Sequence, residues 1–108
     1  MIEKDSQIDA RGTEDAPIVM TAITALDGQA ASGDWGGLAL LGTAAVNLEG
    51  GSGTAEGFAT DPPTYGGDDD AHSCGTLSYV RVEWAGDEIS PGNELNGITF
   101  FACGSGTS

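Results

Sequence analysis

Apolar residues come in short bursts along this chain, never in long runs. Ile18-Val19-Met20, Leu38 to Leu41, Val80-Arg81-Val82 and Ile98 to Phe101 are separated by stretches rich in glycine, aspartate, asparagine, serine and proline. Bursts of three to five residues with interrupting polar positions predict β-strands. In SYVRVEW the alternation sets Val80 and Val82 on one face and Arg81 and Glu83 on the other. The valines are expected inward, because the opposite choice would bury two charges. Arg81 should then pair with Glu83, two residues along the same face. Pro17 opens the Ile18 run, where a missing N–H does least damage to a strand. Helix is hard to place: Thr21 to Leu26 has room for a turn or two before Gly28, Gly33, Gly36 and Gly37 close it off.

The bursts are spaced. Ile18 precedes Leu38 by about 20 residues, Val80 precedes Ile98 by a similar step, and Leu38 to Val80 is about twice that, a pattern that suggests stacked coils. Residues 85–95, AGDEISPGNEL, are too long for a simple hairpin connection and suit the remainder of a coil. On this reading residues 75 to 101 form one coil and the strand that stacks on it. Ile18, Val19 or Met20, Leu38, Leu40, Val80, Val82, Ile98 and Phe100 supply the inward stacks of four or five coils. Residues 49–75 carry no sustained period and hold Pro62-Pro63, so they read as a loop insertion. The expected fold is an all-β parallel β-helix, a short solenoid, in a single domain over residues 1–108. A β-sandwich with long loops is the alternative, since short strands with glycine turns also build one.

Composition sharpens this. Eighteen glycines and few strong helix formers agree with strands and turns. Three basic residues against 17 acidic ones give a net charge of −14. That balance opposes binding to nucleic acid or to an anionic membrane surface, because phosphate contacts need Lys and Arg. No run reaches the ~20 apolar residues of a membrane span, and MIEKDSQID lacks the apolar core of a signal peptide. Cys74 and Cys103 stand in no metal-like spacing, each beside a glycine. Such a pair suits a disulfide in an oxidising compartment, with two free thiols as the alternative.

Four phrases carry a resemblance: IDARGTEDAPIVMTA, GDWGGLALLG, YGGDDDAHSCGTLSYVRVEWAG and ISPGNELNGITFFACGSGT. Together they cover the chain from about Gln7 onward. They resemble consecutive portions of a family of bacterial extracellular proteins, often lipoproteins, that look like right-handed parallel β-helices. The resemblance implies that fold and a secreted or cell-surface location. It implies no catalytic residue, because the molecular function of those proteins is uncharacterised. It extends only over the N-terminal part of such a protein, and an isolated piece of β-helix would expose the edges of its last coil. Phe100 and Phe101 are expected there, in an interface between two copies of the chain.

Candidate chemistry is sparse. Asp68, Asp69 and Asp70 form the densest charge cluster, and oxygen ligands in a glycine-flanked loop are what Ca²⁺ takes. The spacing is not that of an EF-hand. His72, the single histidine, has carboxylates nearby but no Ser or Cys nucleophile that spacing would supply. Asp87, Glu88 and Glu94 flank a turn, and with Glu83 they would make an acidic ridge. Carboxylate pairs serve glycoside hydrolysis, but few aromatics are left to line a sugar groove. The reading is a non-enzymatic module acting in adhesion or assembly. The alternatives are a Ca²⁺- or carbohydrate-binding module and a partial glycan-active enzyme.

Overall fold

The computed structural model describes residues 1–108. Ten short strands follow one another: β1 (Ile8–Arg11), β2 (Ile18–Met20), β3 (Leu38–Leu41), β4 (Gly53–Thr54), β5 (Thr64–Tyr65), β6 (Gly75–Ser78), β7 (Val80–Val82), β8 (Glu88–Ser90), β9 (Asn93–Glu94) and β10 (Ile98–Phe101). Helix is limited to two 3₁₀ segments, Ile23–Asp27 and Glu49–Gly51. The first of these occupies the predicted helical stretch and is closed, as expected, by Gly28 in the left-handed conformation. The protein is all-β.

Its organising pattern is parallel pairing at long range. Strand β1 pairs with β6, β2 with β7 and β3 with β10, all parallel. Two triplets, β1-β2-β3 and β6-β7-β10, thus lie alongside each other strand for strand and in the same order. An isolated parallel bridge, Trp35 to Ala85, joins them between the second and third pairs. No ladder joins β6 or β7 to β10, so residues 75 to 101 are not a hairpin. Nor do the pairs make a sandwich of antiparallel sheets.

The pairing corrects the expected stacking. Ile18 partners Val80 and Leu38 partners Ile98, so stacked positions lie about 60 residues apart in sequence. The 20-residue step is the distance between neighbouring strands of one triplet, not between stacked ones. Strand β10 therefore rests on β3, not on the strands just before it. Four or five coils do not form, and every sheet has only two strands. Single residues lengthen two of them: Ile2 bridges to Leu40 on the far side of β3. Ser108 donates to the Gly75 carbonyl and accepts from the Leu77 N–H along the free side of β6. The resulting slab measures 45 × 36 × 18 Å, thin because strands in one sheet sit only ~4.8 Å apart.

Strand β3 is the centre. All four residues of its LALL run are buried, with Leu40 and Leu41 at 0% exposure. Leu38 and Leu40 point into a cluster with Cys74, packed by Ile2, Ile8, Met20, Leu77 and Cys103. Ala39 and Leu41 face the other way and are covered by Ala55, Phe58, Tyr65 and Phe101. Three of those four covering residues belong to the 49–75 segment. That segment is therefore structured: β4 and β5 pair antiparallel and lie on the outer face of β3. A continuous apolar run buried on both faces is the expected signature of such a strand.

Facing in β2 and β7 follows the predicted alternation. In β10 the predicted inward residues Ile98 and Phe100 are left exposed and Phe101 is half-buried, because no further strand covers that face. Val80 and Val82 share a face with their partners Ile18 and Met20, and the exposed Val19 shares its face with Arg81. The choice left open between Val19 and Met20 falls on Met20. Arg81 Nε meets Glu83 Oε1 at 2.6 Å on the outside, an exposed pair that contributes under about 1 kcal/mol.

Glycine sits where the main chains of the two triplets touch. Gly75, at φ +115°, begins β6, and a Cβ there would lie 1.9 Å from the Ile8 carbonyl oxygen. Gly42 follows β3, and its Cβ would lie 2.2 Å from the Ala102 oxygen. Only 13 of 108 residues are buried, so these close approaches weigh more here than in a fold with a large core. Gly75→Ala should lower stability by about 3 kcal/mol or more, through steric conflict added to backbone strain. Gly28→Ala, where nothing lies within 4 Å, should cost only the left-handed penalty of about 1–2 kcal/mol. Urea unfolding of the two variants checks the difference.

Candidate functional site

Three regions gather the residues singled out from sequence. The first is the corner between the 49–75 segment and β6. Asp69 Oδ1 accepts the Ala71 N–H at 3.1 Å, and Asp70 Oδ1 accepts the Ala45 N–H at 2.9 Å. The Asp70 carbonyl accepts the Ser105 N–H. Two of the three carboxylates thus fasten local backbone, as aspartates in turns do. No group of three His, Cys, Asp or Glu side chains comes together at metal-holding distance.

His72 sits in the same corner. Its Nε2 lies 2.9 Å from the Lys4 carbonyl oxygen, an acceptor, so Nε2 is the donor in this contact. Nδ1 is 3.9 Å from Cys74 Sγ. Cys74 and Cys103 are joined in a disulfide, their Cα atoms 5.6 Å apart. Cys74 precedes β6 and Cys103 follows β10, so the bond ties the beginning of the second triplet to its end. Cys74 is fully buried and belongs to the same cluster as Leu38 and Leu40. The histidine therefore holds the N-terminal segment beside the disulfide, whose Cys74 sulfur is no free thiol.

The second region is the acidic ridge. Glu88 and Glu94 stand directly opposite each other across the β8–β9 hairpin, both exposed. Glu88 Oε1 accepts the Gly92 N–H at 3.3 Å, and Glu83 is taken by Arg81. Like charges directly opposite on one face are unfavourable, and they stand on an exposed ridge where no cleft is formed. The structure's concave region lies elsewhere, an open polar depression of about 260 Å³ lined by Met1, Glu3, Lys4, Asp5, Asp61, Pro63 and Thr64. Lys4 Nζ donates to Thr64 Oγ1 across it. No buried side-chain nitrogen or oxygen lacks a partner, so no interior polar group is left waiting for a ligand.

The third region is the outer side of β10. Ile98 and Phe100 share the inward face of their partners Leu38 and Leu40, yet they are 38% and 52% exposed. Phe101 turns the other way, half-buried against Tyr65 with ring centroids 4.9 Å apart. Only the first of the two interface candidates, Phe100, looks out from the open side.

Sequence reasoning missed a contact that pins the Ile23–Asp27 helix. Thr24 Oγ1 donates to Asp34 Oδ2 at 2.5 Å, and the Ala31 N–H donates to the same oxygen at 3.0 Å. These bonds, the hydroxyl first, hold the Asp34 carboxyl below its ordinary pKa. A glycine-containing loop between a Thr and an Asp was the available signal, but a separation of ten positions hides it.

Parallel strands laid on strands, with loops between them, define a fold of stacked parallel β-structure. The chain belongs to the pectate-lyase-like β-helix domain family, whose model matches residues 1–108. No curated protein and no solved structure matches it.

Two outcomes follow. Removing the disulfide as Cys74→Ala/Cys103→Ala should destabilise the fold by about 3–4 kcal/mol, from the chain-entropy relation for a loop of this size, as read in urea unfolding. The Asp34 carboxyl should titrate below the usual aspartate range by NMR and return toward it in Thr24→Val. Because the folded-state pKa is lowered, this contact stabilises the fold above the unfolded pKa. Its contribution is lost as pH falls through the lowered folded value.

Proposed function

We propose that the chain is a non-enzymatic β-helix module of a bacterial surface or secreted protein, working in assembly or adhesion. In this reading the two triplets are successive turns of the helix. One observation carries it: β10 offers an unpaired strand edge beside an inward face that is still exposed at Ile98 and Phe100. The equivalent residues one layer below, Leu38 and Leu40, are buried. A strand added to β10 would cover that face and satisfy its free N–H and C=O groups, as in β-strand addition. The buried disulfide agrees with an oxidising, extracytoplasmic setting.

A second copy is the proposed occupant, placed across a two-fold axis so that β10 meets β10. The charge of −14 on each copy opposes this, so association should strengthen as salt screens the repulsion. Phe100→Asp is the variant to use, because Phe101 is needed against Tyr65 and its loss would disturb the fold itself. Sedimentation of the unchanged chain should show a dimer that grows with salt, and Phe100→Asp should be a monomer. A monomer for both at high protein and salt concentrations would sink the proposal.

A thermal-shift series distinguishes the binding-module alternatives. Ca²⁺, EDTA and a panel of oligosaccharides should leave the melting temperature unmoved. A rise with Ca²⁺ that EDTA reverses, or with one glycan, would move the function to ligand binding.

A further inference from the structure

We infer that Asn96 is a site of spontaneous backbone modification, deamidating through a succinimide formed with Gly97. The sequence supplies the reactive dipeptide, Asn96-Gly97. A glycine in second position leaves the attacking backbone nitrogen unhindered. The structure supplies the access: Asn96 is exposed, and its side-chain amide makes no hydrogen bond within the protein. The two residues lie between β9 and β10, outside any strand. The Gly97 N–H donates to no acceptor, while the Gly97 carbonyl is held by the Leu38 N–H at 2.9 Å. The nucleophilic nitrogen is therefore free of the ladder that fixes the next residues. Asn47 and Asn93 differ: Leu48 and Glu94 follow them, and the Asn93 side-chain oxygen accepts the Gly57 N–H.

In the reaction the Gly97 nitrogen, once deprotonated, attacks Asn96 Cγ. The new C–N bond closes a five-membered ring, and the Cγ–Nδ2 bond breaks to release ammonia, which takes up the proton. Water then opens the ring at either carbonyl, with no change of oxidation state. Opening at Cγ leaves an ordinary aspartate. Opening at the former main-chain carbonyl leaves isoaspartate, in which the backbone runs through the side chain and gains a methylene.

The location makes the second product consequential. The Asn96 and Gly97 carbonyl oxygens press on Gly37, where a Cβ would lie 2.4 and 2.6 Å away. Isoaspartate turns the Asn96 carbonyl into a charged carboxylate at this main-chain contact and lengthens the chain leading into β10. The β3–β10 pairing then starts from a displaced corner.

The test is incubation of the folded, disulfide-bonded chain in mildly alkaline buffer, with peptide mapping by mass spectrometry and an isoaspartyl methyltransferase assay. Conversion should appear at Asn96 and not at Asn47 or Asn93. Gly97→Ala should slow it several-fold. That variant is expected to fold, since an added Cβ meets only Val82 Cγ1 at an ordinary 3.8 Å; retained thermal unfolding confirms this. Hydrogen exchange of residues 98–101 should quicken in the converted fraction. The proposal is overturned if Asn96 stays intact in the folded chain while a free peptide of the same sequence converts, or if Asn47 or Asn93 converts as fast.

Discussion

The structure depends on main chain lying against main chain. Three short parallel ladders hold the two triplets together, and side chains contribute to that junction mostly through β3. Parallel strands this short give few hydrogen bonds each. Their alignment therefore has to be enforced at the corners, where Gly75 and Gly42 let carbonyls of the other triplet approach to distances no side chain would allow. With so few buried residues, the fold has little hydrophobic surplus to absorb an error at these points. The glycines at these contacts are thus a requirement of the stacking itself, whereas others, such as Gly28 and Gly92, stand in open turns.

Strand positions and facing were legible in the sequence because they are local. The bursts at Ile18, Leu38, Val80 and Ile98 each became a strand, and the alternation around Arg81 set its face. The stacking partner was not legible, because it is a property of two distant segments. The 49–75 insertion lengthens the path from one triplet to the next, and the unequal sides of each triplet produce the misleading 20-residue step. The burial of Ala39 and Leu41 was hidden for the same reason: their cover, Phe58 and Tyr65, comes from a segment without any period.

The candidate chemistry shows the reverse relation. Asp68 to Asp70 and His72 stand out in the sequence by charge and rarity, yet the structure employs Asp69, Asp70 and His72 in fastening backbone near the disulfide. Of the expected acidic ridge, Glu88 and Glu94 lie opposite each other on the β8–β9 hairpin, facing solvent, while Glu83 pairs with Arg81. What distinguishes the molecule is an apolar strand face that is finished at β3 and unfinished at β10. Residue type alone could not separate those two, since Leu38 and Ile98 read alike.

The disulfide has a mechanical meaning. Cys74 and Cys103 are separated by 29 positions in sequence, and everything between them is a covalently closed ring. Tension applied along the chain enters at Cys74 and leaves at Cys103 through sulfur, bypassing β6, β7 and β10. The strands in the ring carry no direct load, and about 100 Å of contour length, at ~3.4 Å per extended residue, can never be drawn out. A protein exposed to shear would keep this half of the slab closed even after the ladders to β1, β2 and β3 had parted.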